Sequence, residues 1–191
     1  MGTLTEIRWH GRAGQGVVTA GELLAEAAME EGKYFQAFPD YGPERMGAPI
    51  KSYTRISDEP IEVHHQILYP DVIVVVNPNL IGVVNLTEGL KEGGVAIINT
   101  PDSPAEVREK LGLKGGKVAT LNATGIAMDT LKRDIPSTLM LGAVAKVTDL
   151  VALGSVVRRA KELLGEKLRP EVVEANVVAL KRAYKEVRTE N

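Results

Sequence analysis

Apolar and polar positions along the chain change period several times, and each change marks an element. "EIRWH" (6–10) alternates as a strand does. Residues 17–31 place Val17, Ala20, Leu24, Ala27 and Ala28 on one helical face, and Gly32 ends that helix. "KYFQAF" (33–38) predicts a second strand, and "PDYGPERMGAP" (39–49) is a long turn rich in Pro and Gly. "IKSYTRIS" (50–57) and "IEVHHQIL" (61–68), parted by Asp58-Glu59-Pro60, predict a β-hairpin with one wetter face. "DVIVVV" (71–76) is continuously apolar, the mark of a strand buried on both faces. "VAIINT" (95–100) and "VATLNA" (118–123) repeat that character over shorter runs, with room for helices between.

The last third is helical throughout. Thr138 to Leu153 is apolar and small-residue-rich, which predicts a helix packed closely against a neighbour. "SVVRRAKELLG" (155–165) follows, with Arg158-Arg159 on a solvated face. Pro170 suits the first turn of a final helix, where Val173, Val177, Leu180, Tyr184 and Val187 recur at helical spacing. Strands alternating with helices predict an α/β fold with a doubly wound, mainly parallel sheet, an added β-hairpin and C-terminal helices. With no repeat, linker or low-complexity tract, residues 1–191 are expected to form a single domain.

Composition narrows the function classes. The chain has 23 basic and 25 acidic residues, a formal net charge of -2. Nucleic-acid and membrane-surface proteins need a basic excess, so neither class is expected. The start lacks the basic-then-apolar pattern of a secretion signal, and a cytoplasmic protein is expected. There are no cysteines, which removes disulfides, thiol nucleophiles and cysteine-held iron–sulfur clusters from this chain. Histidines occur only at 10, 64 and 65. In a strand, His64 and His65 would point to opposite faces, so no metal site is expected. The absence of Cys, the scarcity of Gln and the abundance of Lys and Glu fit a thermophilic source.

The chemistry concentrates in "HGRAGQG" (10–16), a glycine turn between a strand and a helix. Such a turn aims backbone N–H groups at an anion near the helix N-terminus. Yet Gly11, Gly14 and Gly16 follow neither G-x-G-x-x-G nor the P-loop pattern. The second strand does not end in the isolated acidic residue that would hold a nicotinamide ribose, and Asp40 is a poor candidate for it. Two readings of the turn stay open on spacing alone. One holds a phosphate-bearing group, with Arg12 and Arg45 as charged partners. The other is a tight turn that packs a helix onto a sheet.

"WHGRAGQGVVTAGELLAEAA" together with "FPDYGPERMGAPIKSYTRIS" closely resembles the γ subunit of 2-oxoacid:ferredoxin oxidoreductases, especially the pyruvate and 2-ketoisovalerate enzymes. The likeness continues through "DVIVVVNPNL", "GGVAIINT", "LNATGIA", "LMLGAVAK" and "RPEVVEANVVALKRAYK", and so covers nearly the whole chain. The resemblance implies a Rossmann-like fold without nicotinamide. It implies assembly with α, β and δ chains that carry the substrate site, the thiamine diphosphate and the clusters. The assembled enzyme would decarboxylate a 2-oxoacid oxidatively, form an acyl-CoA and pass electrons to ferredoxin. On this chain, Gly11, Arg12, Gly14, Gln15 and Gly16 would face the coenzyme A phosphates. Arg45 would add charge from the second loop, with Glu44 and Met46 alongside. Ala13 stands where relatives often carry glycine, which changes the freedom of the loop.

The residues agree with that division of labour. No Gly-Asp-Gly occurs, so the thiamine signature is missing. No Ser–His–Asp or paired-carboxylate constellation stands out, and no catalytic residue is assigned. Asn77 ends a buried strand, where open α/β sheets place ligand contacts, and an Asn-Pro turn explains it equally well. Trp9 is expected in the core or at a subunit contact, and Tyr41 and Met46 suit a neighbouring subunit as well as a ligand. Two other functions stay open: a purely structural subunit of the same complex, and an independent nucleotide- or NAD-binding protein.

Overall fold

The computed structural model describes residues 4–40 and 46–190. In chain order the elements are β1 (Thr5–Arg12), α1 (Val17–Glu30), β2 (Tyr34–Pro39), β3 (Pro49–Ser57), β4 (Val72–Val75), β5 (Val95–Asn99), α2 (Pro104–Leu111), β6 (Lys117–Leu121), α3 (Ala123–Leu131), α4 (Ser137–Thr148), α5 (Leu153–Gly165), α6 (Pro170–Glu186) and β7 (Arg188–Thr189). A 3-10 turn, Pro78–Leu80, follows β4. All the strands join one sheet in the order β2-β3-β1-β4-β5-β6-β7. The contiguous strands β1, β4, β5 and β6 are parallel, while β2, β3 and β7 join antiparallel at the flanks.

Burial on two faces explains the apolar strands. Trp9, Val74, Ile97 and Leu121 face α1, α4 and α6, where Leu24, Leu139, Leu141 and Leu180 are fully buried. Ile73, Val75, Ile98 and Val118 face the other way, against Leu80, Leu86 and Val107. A fully buried aliphatic side chain contributes about 1.5–3 kcal/mol. The helices on the second face are short and locally specified. Ser103 and Glu106 form a capping box on α2, Pro104 opens it, and Gly112 closes it in the left-handed conformation. On the first face α4 and α6 run so close at Gly142 that an added Cβ would stand 2.6 Å from the Leu180 carbonyl oxygen.

Three expectations change here. The hairpin is β2 with β3, running from Tyr34↔Ser57 to Pro39↔Ser52, and not residues 50–57 with 61–68. Residues 61–68 form no strand. They lie across the outer face of β3, held by Arg55, whose Nη1 and Nη2 donate to the carbonyls of Val63 (3.4 Å) and His65 (2.7 Å). A strand there would spend those carbonyls on a neighbour instead. His64 and His65 consequently sit in a loop, His64 near Gln36 and His65 against the Gln66 carbonyl. Second, Arg158 and Arg159 pair with Glu30 (3.0 Å) and Glu26 (2.7 Å), joining α5 to α1 rather than facing only solvent. Third, the helix expected over Thr138 to Leu153 is Ser137–Thr148, shorter at its end, while its small apolar residues 139–145 pack closely as expected, against α6.

Candidate functional site

The glycine turn lies at the carboxyl end of β1, where the sheet order departs in two directions. Toward β3 the neighbour is antiparallel, and toward β4 it is parallel. Open α/β sheets place their ligands at such a crevice. Two positions have positive φ, Gly14 at 93° and Gly16 at 73°. Gly16 is the N-cap of α1, and no side chain caps that helix. The first N–H groups of α1 thus have no acceptor from a capping side chain, at the end of the helix where the dipole is positive. Gly16 also lies hard against α4, for an added Cβ would come within 2.8 Å of Ser137 Oγ. At Gly11 a Cβ would meet Val17 at 2.3 Å.

Side chains hold the turn in place. Gln15 Oε1 accepts from the Arg12 backbone N–H (2.8 Å) and from Asn77 Nδ2 (3.2 Å). Asn77 Oδ1 accepts from the Asn79 N–H at 3.0 Å, so one residue serves both the Asn-Pro turn and the glycine turn. Arg12 Nη1 donates to the Gly47 carbonyl at 2.9 Å. Ala13 and the 47–48 segment exchange backbone bonds, Ala13 N–H to Ala48 O at 2.9 Å and Gly47 N–H to Ala13 O at 3.3 Å. The two loops singled out in the sequence are therefore physically joined. Gly11, Arg12, Gly14, Gln15, Gly16 and Asn77 come together. Met46 is described and is 93% exposed. Tyr41, Glu44 and Arg45 lie outside the described residues.

Sequence reasoning passed over several residues around this turn. His10 is buried and accepts from Arg8 Nε at 3.0 Å. Burial, with the positive charges of Arg8 and Lys51, pushes its pKa down to about 3, so the ring is neutral. Arg8 Nη2 donates to the carbonyls of Leu86 and Glu88, which fixes the guanidinium. Asn99, at the end of β5, donates to the Val76 carbonyl at 2.8 Å and to Thr124 Oγ1 at 2.9 Å, tying together strand ends. A charged residue inside an alternating strand reads as solvent-facing, so nothing in the pattern marked Arg8 as buried. Trp9 is wholly buried and donates to Thr54 Oγ1 at 3.0 Å, which makes it a core residue. Asp40 accepts from Tyr53 and Gln66, so its carboxylate serves the structure where a nucleotide ribose would need it free. Burial, together with this bond to Asp40, raises the Tyr53 pKa to about 12. Among the described residues no group of three or more His, Cys, Asp or Glu is placed to hold a metal, and no helix is long and apolar enough to cross a membrane.

Known proteins share both the sequence and the fold. A family model described as pyruvate ferredoxin/flavodoxin oxidoreductase matches residues 6–186. Pyruvate synthase subunit PorC of Thermotoga maritima is 48% identical over 183 residues, 96% of this chain and 94% of the relative. The pyruvate/ketoisovalerate oxidoreductases common subunit gamma of Thermococcus kodakarensis is 54% identical over 168 residues, 86% of this chain and 91% of the relative. Among solved structures, the Thermotoga maritima pyruvate oxidoreductase subunit PORC superposes with a TM-score of 0.87 at 43% identity, covering 98% of this chain and 99% of that one. A 2-oxoglutarate:ferredoxin oxidoreductase from Magnetococcus marinus shares the fold alone, with TM-score 0.79 at 19% identity over 95% of this chain and 30% of that one. Sequence, sheet order and coverage agree that this chain belongs to the pyruvate ferredoxin/flavodoxin oxidoreductase family.

Proposed function

We propose that this chain is the γ subunit of a cytoplasmic 2-oxoacid:ferredoxin oxidoreductase, with pyruvate as the leading 2-oxoacid. With α, β and δ chains it converts a 2-oxoacid and coenzyme A to acyl-CoA and CO2 while ferredoxin is reduced. Thiamine diphosphate and the iron–sulfur clusters belong to the partner chains, since this chain offers no cysteine to ligate a cluster. Its own contribution is a share of the coenzyme A site. The observation that carries this reading is the uncapped start of α1, set beside two glycines of positive φ and bonded to the second loop. A dipole at a helix N-terminus favours an anion by roughly 0.3–1 kcal/mol. A charge-assisted hydrogen bond contributes roughly 1.5–3 kcal/mol, so Arg45 outweighs the backbone.

In the assembled complex, Arg45→Ala raises the KM for coenzyme A by about tenfold or more, roughly 1.4 kcal/mol. The KM for the 2-oxoacid stays put. Arg12→Ala acts in the same direction and more weakly, because one of its N–H groups is already committed to Gly47. A second reading has an observation of its own. The close approaches of Gly11 to Val17 and Gly16 to Ser137 are what a packing turn needs. In that case Arg45→Ala lowers the melting temperature of the complex and leaves both KM values unchanged. Steady-state kinetics on the intact variant complex separate the two.

A further inference from the structure

The α4 end that touches Gly16 opens on its far side into a cavity of about 420 Å³. Its floor is apolar. Leu131 ends α3 and Ile135 follows it in the α3–α4 connection, Leu164 lies near the end of α5 and Leu168 in the α5–α6 connection, and Val172 lies in the first turn of α6. Ile135, Leu168 and Val172 are 46%, 38% and 38% exposed. The rim is cationic. Arg133, Lys167 and Arg169 line the cavity, and none of the three side chains has a hydrogen bond or ion pair to a described residue. No carboxylate lines it, although Asp134, Glu166 and Glu171 stand beside the cations in sequence. Other described arginines contrast with these. Arg8, Arg55, Arg108, Arg159 and Arg182 are each committed to oxygens within the chain. Three uncommitted cations around an apolar floor match one kind of occupant, an apolar segment carrying carboxylates.

We propose that this groove docks an acidic, apolar-faced segment of another chain of the oxidoreductase. The inference rests on the reading of this chain as one subunit of such a complex. Charge complementarity sets the occupant: cations hold its carboxylates at the rim while its apolar side chains cover Ile135, Leu168 and Val172. A patch of this kind reads as an anchor when the apolar part is central and the charges lie around it.

Two measurements on the co-expressed complex test this. A zero-length carbodiimide couples a lysine only to a carboxylate in contact with it. Peptide mapping of the unaltered complex should find Lys167 joined to an Asp or Glu of a different subunit. The triple variant Arg133→Glu, Lys167→Glu, Arg169→Glu should co-purify with that subunit about tenfold less well or worse, with its circular dichroism unchanged. The control Lys114→Glu, Lys181→Glu, Lys185→Glu makes the same charge change elsewhere and should assemble normally. Wild-type assembly of the triple variant overturns the proposal. So does an inter-chain product joining only two copies of this chain, or no inter-chain product from Lys167 at all. A triple variant that assembles fully but raises the KM for coenzyme A reassigns the groove to a small anion. Failure of the unaltered chain to assemble with any oxidoreductase subunit overturns the parent reading as well. Should the triple variant misfold, the cross-link on the unaltered chain still decides.

Discussion

His10 is a residue whose charge state is set by its surroundings. Its folded pKa, about 3, lies below the usual 6.5 because the site is buried and flanked by Arg8 and Lys51. Below pH 6.5 the unfolded chain binds a proton that the folded chain refuses, so stability falls as pH drops from 6.5 toward 3 and is fully present above 6.5. At pH 5 the loss is roughly 2 kcal/mol relative to pH 7.5. His10→Gln keeps an acceptor for Arg8 but cannot titrate. Urea unfolding at both pH values should show that the variant lacks this part of the pH dependence. An identical slope in both proteins would mean that other groups carry it.

Arg55 is a second residue whose role exceeds its own position. It is fully buried and donates to Glu6 (2.9 Å), Gln36 (3.1 Å) and the carbonyls of the 61–68 loop. Removing one member of a buried pair costs about 3 kcal/mol or more. Arg55→Met should destabilise by that order and expose residues 58–66 to limited proteolysis. Arg55→Lys should not rescue it, because an ammonium cannot span the fork of acceptors.

Among the elements, α4 and α5 contain glycines of opposite meaning. At Gly142 a Cβ would meet the Leu180 oxygen, the Tyr184 nitrogen (2.9 Å) and the Ala183 Cβ (3.2 Å). At Gly154 nothing lies within 4 Å. Alanine favours a helix over glycine by roughly 0.8–1 kcal/mol, whereas forcing extra volume into a packed contact costs about 1–3 kcal/mol. Gly142→Ala should therefore lower the melting temperature, and Gly154→Ala should leave it unchanged or raise it. Two shifts of the same sign would contradict the packing described for α4 and α6.

This scale also shows what was legible in the sequence. β1, α1, β4, β5, β6 and α6 announced themselves, because one period persisted along each and its apolar face met the core. The two glycine-rich loops were legible as a pair, since each turn residue has a local reason. Residues 61–68 were not, because Ile61 and Val63 alternate like a strand while the deciding partner, Arg55, is not part of the run. The pairing of β2 with β3 was equally hidden. It closes over the long 39–49 turn, and a shorter connection offered itself at 58–60. Arg159 and Glu26 are 133 positions apart, a distance no local pattern can bridge.

At the scale of the molecule, the glycine turn lies at the carboxyl end of an interior strand, β1, and the start of α4 separates it from the cationic groove. Gly16 touches Ser137, and the next residue, Thr138, lines the groove. One helix end therefore stands between the proposed coenzyme A turn and the proposed docking groove. Equilibrium linkage makes any influence between them mutual. If occupation of the turn tightens or loosens the groove by some factor, a chain seated in the groove must change affinity at the turn by that same factor. Loading and assembly would then be two readouts of a single coupling free energy, and measuring either one in the presence and absence of the other fixes its sign.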